Sequence, residues 1–220
     1  MYELARKEVL TKNVPITVPL MDDFVCGISG EKMKLRLINN LITQICVSHS
    51  YEDVKIILLA DDADLESLSY VRMLPHFWDD ERRMRLIATS KPEAFQIGEF
   101  LKKQFEETGF GSPKLKERLK TKPMFLLIAL EKSLFETMAA MSEFMTADQN
   151  KGLSIIAAYD GLPTECRRLI EINDDGSGVS YDLRNPEVAD QKFMLDNCDG
   201  LEIRKAMKQM SGIKMKGQKD

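Results

Sequence analysis

The sequence predicts an α/β domain of three layers, with a mostly parallel sheet and an antiparallel hairpin at its edge. Three observations carry that prediction. Short runs that are apolar along their whole length, VKIILLA, MFLLIAL and LSIIAAY, alternate with stretches of helical periodicity, the mark of parallel strands covered on both faces. Past residue 165 the period changes, and RLIEIN and GVSYDL flank DDGS, a hairpin signal. The chain of 220 residues is 44% hydrophobic and 30% charged, enough for one sizeable core and short for two.

Taken in order, Tyr2 to Leu10 reads as a short helix, and NVPITVP, with β-branched residues between two prolines, as an edge strand. DDFVCGIS is a short strand stopping at Gly27 to Gly30. From Lys32 to Val47, Leu35, Leu37, Ile38, Leu41, Ile42 and Ile45 recur at helical spacing. VKIILLA (Val54 to Ala60) is a strand, and DLESLSYVRML a helix with Asp64 as its N-cap. RLIATS (Arg85 to Ser90) is a strand, followed by a helix from Pro92 to Glu107. TGFGSPKLKERLKTK is a surface loop or short helix. MFLLIAL is the most buried strand, SLFETMAAMSEFM a helix, LSIIAAY the next strand and, after the hairpin, LEIRKAMKQM a last helix. SGIKMKGQKD is a basic tail, read as a linker.

Charge and composition exclude several functions. Thirty-one Lys plus Arg against 35 Asp plus Glu give a net charge of −4, so no global basic field exists to hold nucleic acid. MFLLIAL falls far short of the ~20 residues of a membrane helix, and the charged start is no signal peptide. Cys26, Cys46, Cys166 and Cys198 are scattered, with only His49 and His76 as companions; they read as reduced thiols, and no metal site is expected.

GISGEKMKLRLINNLITQ (Gly27 to Gln44) has the look of a phosphate-binding loop entering its helix. In the pattern G-x-x-x-x-G-K-[ST] the glycines let amides wrap the phosphates, the lysine meets the outer phosphates and the hydroxyl holds Mg²⁺. No register fits. With Lys32 as the lysine, the other positions are Cys26, Glu31 and Met33; with Gly30 as the second glycine they are Val25, Glu31 and Lys32; with Gly27 as the first they are Lys32, Met33 and Lys34. Glu31 also brings a carboxylate to where a triphosphate is most charged. The expectation is a tight strand-to-helix turn made accessible by Gly27 and Gly30, with an anion site on the helix N-terminus as the alternative. In nucleotide hydrolases of this build a second strand ends in Asp-Glu, holding the metal and polarising water; here the strand ends Leu130-Glu131.

SYEDVKIILLADD, the stretch YVRMLPHFWDDERRMRLIATS and the order of the strands resemble the segment preceding the first ATPase domain of EssC-type proteins. Those are membrane-anchored FtsK/SpoIIIE-like motors of type VII secretion in Gram-positive bacteria. The resemblance runs from Asn13 to Met210, with LPHFWDD (Leu74 to Asp80) its most specific signature. It implies a degenerate RecA-like domain over residues 13–210, preceded by a helix or linker (1–12) and followed by a tail (211–220). It also implies that Gly27, Gly30, Glu31, Lys32, Met33, Leu130 and Glu131 are vestigial site positions, that Tyr159 and Asp160 replace the polar sensors of active siblings, and that ATP and Mg²⁺ do not bind productively. The implied partners are other domains of the same motor, neighbouring subunits and membrane secretion components, at the cytoplasmic side of the bacterial membrane, with no direct membrane insertion and no nucleic acid. The expected role is structural and non-catalytic; an unconventional nucleotide hydrolase and an anion- or peptide-binding regulatory module are the alternatives.

Other features stay open between two readings. Pro75, His76, Phe77 and Trp78 are either a docking edge or a loop pinned by Trp78, with His76 a polar side chain on a turn. Arg82 and Arg83 are solvated charges or reach a neighbouring site in trans. Asp61 and Asp62 are capping and strand-end acids, or part of an acidic pocket like that of response-regulator receivers, for which the sequence shows no clear acceptor aspartate and lysine at later strand ends. Met138, Met141 and Met145 share a helix face, in the core or on an adaptable partner groove.

Overall fold

A computed structural model describes residues 17–106, 123–196 and 200–210. Its sheet has eight strands: β1 (Val25–Ser29), β2 (Val54–Leu59), β3 (Ile87–Ala88), β4 (Met124–Ala129), β5 (Leu153–Ala157), β6 (Arg168–Ile172), β7 (Ser177–Asp182) and β8 (Gln191–Met194), in the order β3-β2-β4-β5-β1-β6-β7-β8. Strands β3 through β6 of that order are parallel to their neighbours, and β7 and β8 add an antiparallel meander. The hairpin expected around DDGS therefore forms, with β6 interior and pairing in parallel with β1, and β8 is the edge.

Alternation along the central strands assigns the two faces, because successive side chains point to opposite sides of a sheet. Ile56, Leu58, Leu126, Ile128 and Ile156 join one core, with α1 (Lys34–Ser48), α2 (Asp62–Ser67), the following 3-10 turns and α6 (Gly200–Met210). Ile57, Leu59, Leu127, Ala129 and Ile155 join a second, with α3 (Lys91–Glu106), α4 (Lys132–Phe135) and α5 (Met141–Met145). The result is the expected sandwich of helices, sheet and helices.

Local chemistry shifts several boundaries. The N-cap of α2 is Asp61, not Asp64: its carboxylate accepts the Asp64 N–H at 2.7 Å. That helix ends at Ser67, and Ser69–Met73 and Pro75–Phe77 continue as 3-10 turns. The single helix expected over 133–145 is two short ones. The Thr137 and Met138 N–H groups bond three residues back, to Leu134 and Phe135, while the Thr137 hydroxyl takes the Ser133 carbonyl at 2.9 Å, which together stop α4. Strand β8 was not expected; Phe193 packs over Gly178, where an added Cβ would lie 2.3 Å from the ring. Residues 17–19 are not in a strand, and the rest of NVPITVP, the initial helix, the 107–122 segment and the basic tail lie outside the described residues.

Candidate functional site

The parallel strands β1, β2, β4 and β5 deliver the expected site positions at their carboxyl ends, where open α/β sheets bind ligands. Four residues, Gly30 to Met33, separate β1 from α1. Gly30 has φ +145°, and a Cβ on it would lie 2.5 Å from the carbonyl oxygen of Ile172, the last residue of β6. Glycine is thus required by contact with the neighbouring strand. Gly27 faces Leu162 and Cys166, its virtual Cβ 2.8 Å from Leu162 Cδ1.

Lys32 is turned to the β6–β7 turn. Its Nζ lies 2.9 Å from Asp174 Oδ2, and its backbone N–H donates to Asp174 Oδ1 at 3.3 Å. Those hydrogen bonds hold the Asp174 carboxyl below its ordinary value and the Lys32 ammonium above its own. Both groups are solvent-exposed, so the pair is screened. Glu31 is exposed, and Met33 is the N-cap of α1 and supplies no capping side chain.

At the end of β4, Leu130 is 8% exposed and belongs to the first core, its N–H extending the ladder to Leu59 O at 2.8 Å. Glu131 is the N-cap of α4, accepting the Ser133 N–H at 3.2 Å. Across from it, at the end of β2, Asp64 is raised above its ordinary value, first by burial and then by the Asp61 carboxylate, with Glu131 adding to the effect and Lys34 opposing it. Asp61, Asp64, Glu131 and Lys34 therefore share one electrostatic neighbourhood, a grouping the sequence reading missed. Asp61 is spent on its cap and Asp62 sits in the first turn of α2. After β5, Tyr159 is buried and leans on Phe135 at a ring separation of 5.8 Å; burial foremost pushes its phenol up to about 12. Asp160 is exposed.

The LPHFWDD segment is folded inward rather than offered as a docking edge. Pro75, His76 and Phe77 are buried, with His76 3% exposed instead of standing on a surface turn. The His76 Nε2 meets His49 O at 2.9 Å, its Nδ1 is buried without a partner, and Tyr51 packs edge-on at 6.2 Å. Trp78, part-exposed, pairs with Arg85 in an isolated antiparallel bridge and takes its guanidinium 4.7 Å from the ring. Asp79 accepts the Met84 N–H at 3.0 Å, and Asp80 reaches Lys55, whose side chain is only 4% exposed, at 3.1 Å. Arg82 and Arg83 are exposed, Arg83 paired with Glu81. Met138 and Met141 are core residues at 2% exposure, and Met145 is part-buried against them.

A further cluster lies at the opposite, amino end of the strands. Asp23 is fully buried before β1 and receives two arginines: Arg168 Nε donates to its Oδ2 at 2.6 Å, and Arg184 closes on its Oδ1. Arg168 also donates to Ser180 Oγ at 3.0 Å. Among the described residues, no group of three or more His, Cys, Asp or Glu is placed to hold a metal ion, and no helix is long and apolar enough to cross a membrane.

No protein-family model matches the chain. Its sequence is 24% identical, over 186 residues, to the ESX secretion system protein EccC of Geobacillus thermodenitrificans, covering 81% of this chain and 12% of that protein. The chain thus spans about an eighth of that relative's length. Its fold matches ATPases 2 and 3 of EssC from the same organism with a TM-score of 0.62, at 12% identity, over 84% of this chain and 43% of that one. The cytoplasmic domain of the type VII secretion ATPase EccC from Thermomonospora curvata gives a TM-score of 0.61 at 12% identity, over 84% and 25%. The chain is homologous to the EssC/EccC type VII secretion ATPases, and its fold is that of their P-loop-ATPase-like domains.

Proposed function

We propose that this chain is a non-catalytic, ATPase-like module of a type VII secretion motor, which joins membrane-embedded parts to ATPase domains and presents surfaces to neighbouring subunits at the cytoplasmic side of the membrane. The single observation that carries the reading is Leu130: a core leucine stands where a metal-holding aspartate is needed and offers no oxygen to Mg²⁺. The exposed pairing of Lys32 with Asp174 is a lesser support, since it is screened by solvent. Glu131 is committed to a helix cap. These residues do not fit a magnesium triphosphate.

Losing one preorganised charge-stabilising contact lowers a rate about 10²-fold, and here several are absent together. The domain then acts through its shape. Calorimetric titration of the chain with Mg·ATP, alongside a phosphate-release assay, tests this. No saturable heat and no release above buffer are expected; micromolar binding lost in Lys32→Ala, with release lost in Glu131→Gln, overturns the reading.

A further inference from the structure

Strand β8 closes the sheet, and among the described residues no strand lies on its outer side. The register shows which main-chain groups face that side. The Leu195 N–H donates to the Gly176 carbonyl at 2.8 Å, so Leu195 and, by the alternation of an antiparallel ladder, Phe193 and Gln191 direct their N–H and C=O groups at β7. Strand β7 agrees. The Asn173 N–H donates to the Ser177 carbonyl and the Leu183 N–H to that of Arg167, so the odd-numbered residues of β7 serve β6, and Gly178 and Ser180 are left for β8. The N–H and C=O groups of Lys192 and Met194 therefore point outward. The Asp196 carbonyl ends this edge, since Arg36 and Asn40 both donate to it. Open edges in native sheets are covered or blunted. Strand β8 carries no proline and no bulge, and shortness and one lysine are the devices present. Phe193 and Leu195 pack against the first core, which puts Lys192 and Met194 on the other face, both exposed, Met194 to 65%. Lys192 belongs to none of the ion pairs among the described residues.

We propose that β8 accepts an extended segment of a partner protein as an added antiparallel strand, with apolar residues opposite Met194 and Phe193 and a carboxylate opposite Lys192. The outward N–H and C=O groups of Lys192 and Met194 hold its main chain, and the side chains select its sequence. Phe193 falls in a non-hydrogen-bonded pair, where facing side chains come closest, which favours a β-branched partner there. Charge complementarity sets the third position, because Lys192 and a carboxylate directly opposite attract, whereas a second cation is repelled. A second copy of the chain is the poorer occupant. Four residues of strand span about 13 Å, too short an edge for the ~1,200 Å² that a lasting dimer buries. The inference is independent of whether the domain binds nucleotide.

Amide exchange with solvent, followed by NMR on the isotope-labelled full chain with the heptapeptide Thr-Thr-Leu-Val-Glu-Thr-Thr, tests it. At saturating peptide the Lys192 and Met194 amides are expected to exchange at least ten-fold more slowly, while the Phe193 amide, already turned to β7, is unchanged. A twin with methyl groups on the Leu and Glu nitrogens is expected to bind at least ten-fold more weakly, and a twin with Lys for Glu at least three-fold. Lys192→Glu should reverse the preference between the Glu peptide and its Lys twin. Met194→Pro, which deletes one outward N–H and none that β7 uses, should weaken the peptide at least five-fold. Unchanged exchange at Lys192 and Met194, equal binding of the methylated twin, or a preference unmoved by Lys192→Glu would each overturn the proposal. So would slowing that rises with protein concentration in the absence of peptide, the mark of a second copy on the edge.

Discussion

Lys32 gives both its backbone N–H and its ammonium to a single carboxylate, that of Asp174, 142 residues further along the chain. The contact is open to solvent, and its neighbour in the expected site, Leu130, is packed in the core. The two positions therefore respond differently to substitution. Lys32→Ala and Asp174→Ala should leave the urea midpoint of unfolding unchanged within error, because exposed ion pairs contribute little. Leu130→Asp should lower stability by about 3 kcal/mol, since it removes apolar packing and buries a carboxylate with no partner. If Leu130→Asp is tolerated like the other two, the site at the end of β4 is open and the packing described for it is incorrect.

Gly30 and Gly27 make a second contrast. Alanine at Gly30 meets backbone, the Ile172 carbonyl, in a conformation that side chains rarely adopt. A loss of about 3 kcal/mol is expected from strain and displacement together. Alanine at Gly27 meets the far end of the Leu162 side chain, which can rotate away, so about 1 kcal/mol is expected. Paired thermal melts of the two variants give the order directly.

Breaking the Asp23 cluster should be costly in an asymmetric way. Asp23→Ala leaves Arg168, itself 8% exposed, without its main counter-charge, and a loss of about 4 kcal/mol is expected. The double change Asp23→Leu with Arg168→Met removes both charges and should recover most of that loss. Chemical denaturation of the parent, the single and the double variant measures the recovery.

His76 sets a pH dependence. Burial, and secondarily the neighbouring Lys55 and His49, hold its imidazole below its ordinary value of 6.5, against the opposing hydrogen bond to the His49 carbonyl. The unfolded chain therefore takes up a proton as pH falls through about 6.5 while the folded chain does not. Stability is fully present above that pH and declines below it, levelling off only beneath the folded value. Denaturant midpoints collected from pH 8 to pH 5 should fall in the parent, and His76→Phe should flatten the lower part of the curve.

The parallel half of the sheet was legible because its strands are apolar throughout: β4, buried between β2 and β5, has no solvent face to encode. Helix α1 was legible because one stripe of it meets the core. What escaped depends on partners far away in the chain. Asp23 and Arg168 are 145 residues apart, and nothing in either local sequence marks them as a buried pair. Strand β8 follows from Phe193 filling the space over Gly178, and the sequence QKFM carries no alternation that would reveal it. Asp61 and Asp64 were interchangeable as caps on composition, and only the geometry chooses between them. In the loop before α1 the missing residues could be read, whereas the carboxylate that takes their place comes from the hairpin turn.

Strand β6 is tied to the body near both ends, by Arg168 on Asp23 at its start and by the close approach of the Ile172 carbonyl to Gly30 at its finish. At about 3.3 Å per residue those two points stand roughly 13 Å apart. Tied at both ends and paired with β1 along its length, β6 makes the β7–β8 meander a continuation of the sheet and not an arm hinged on it.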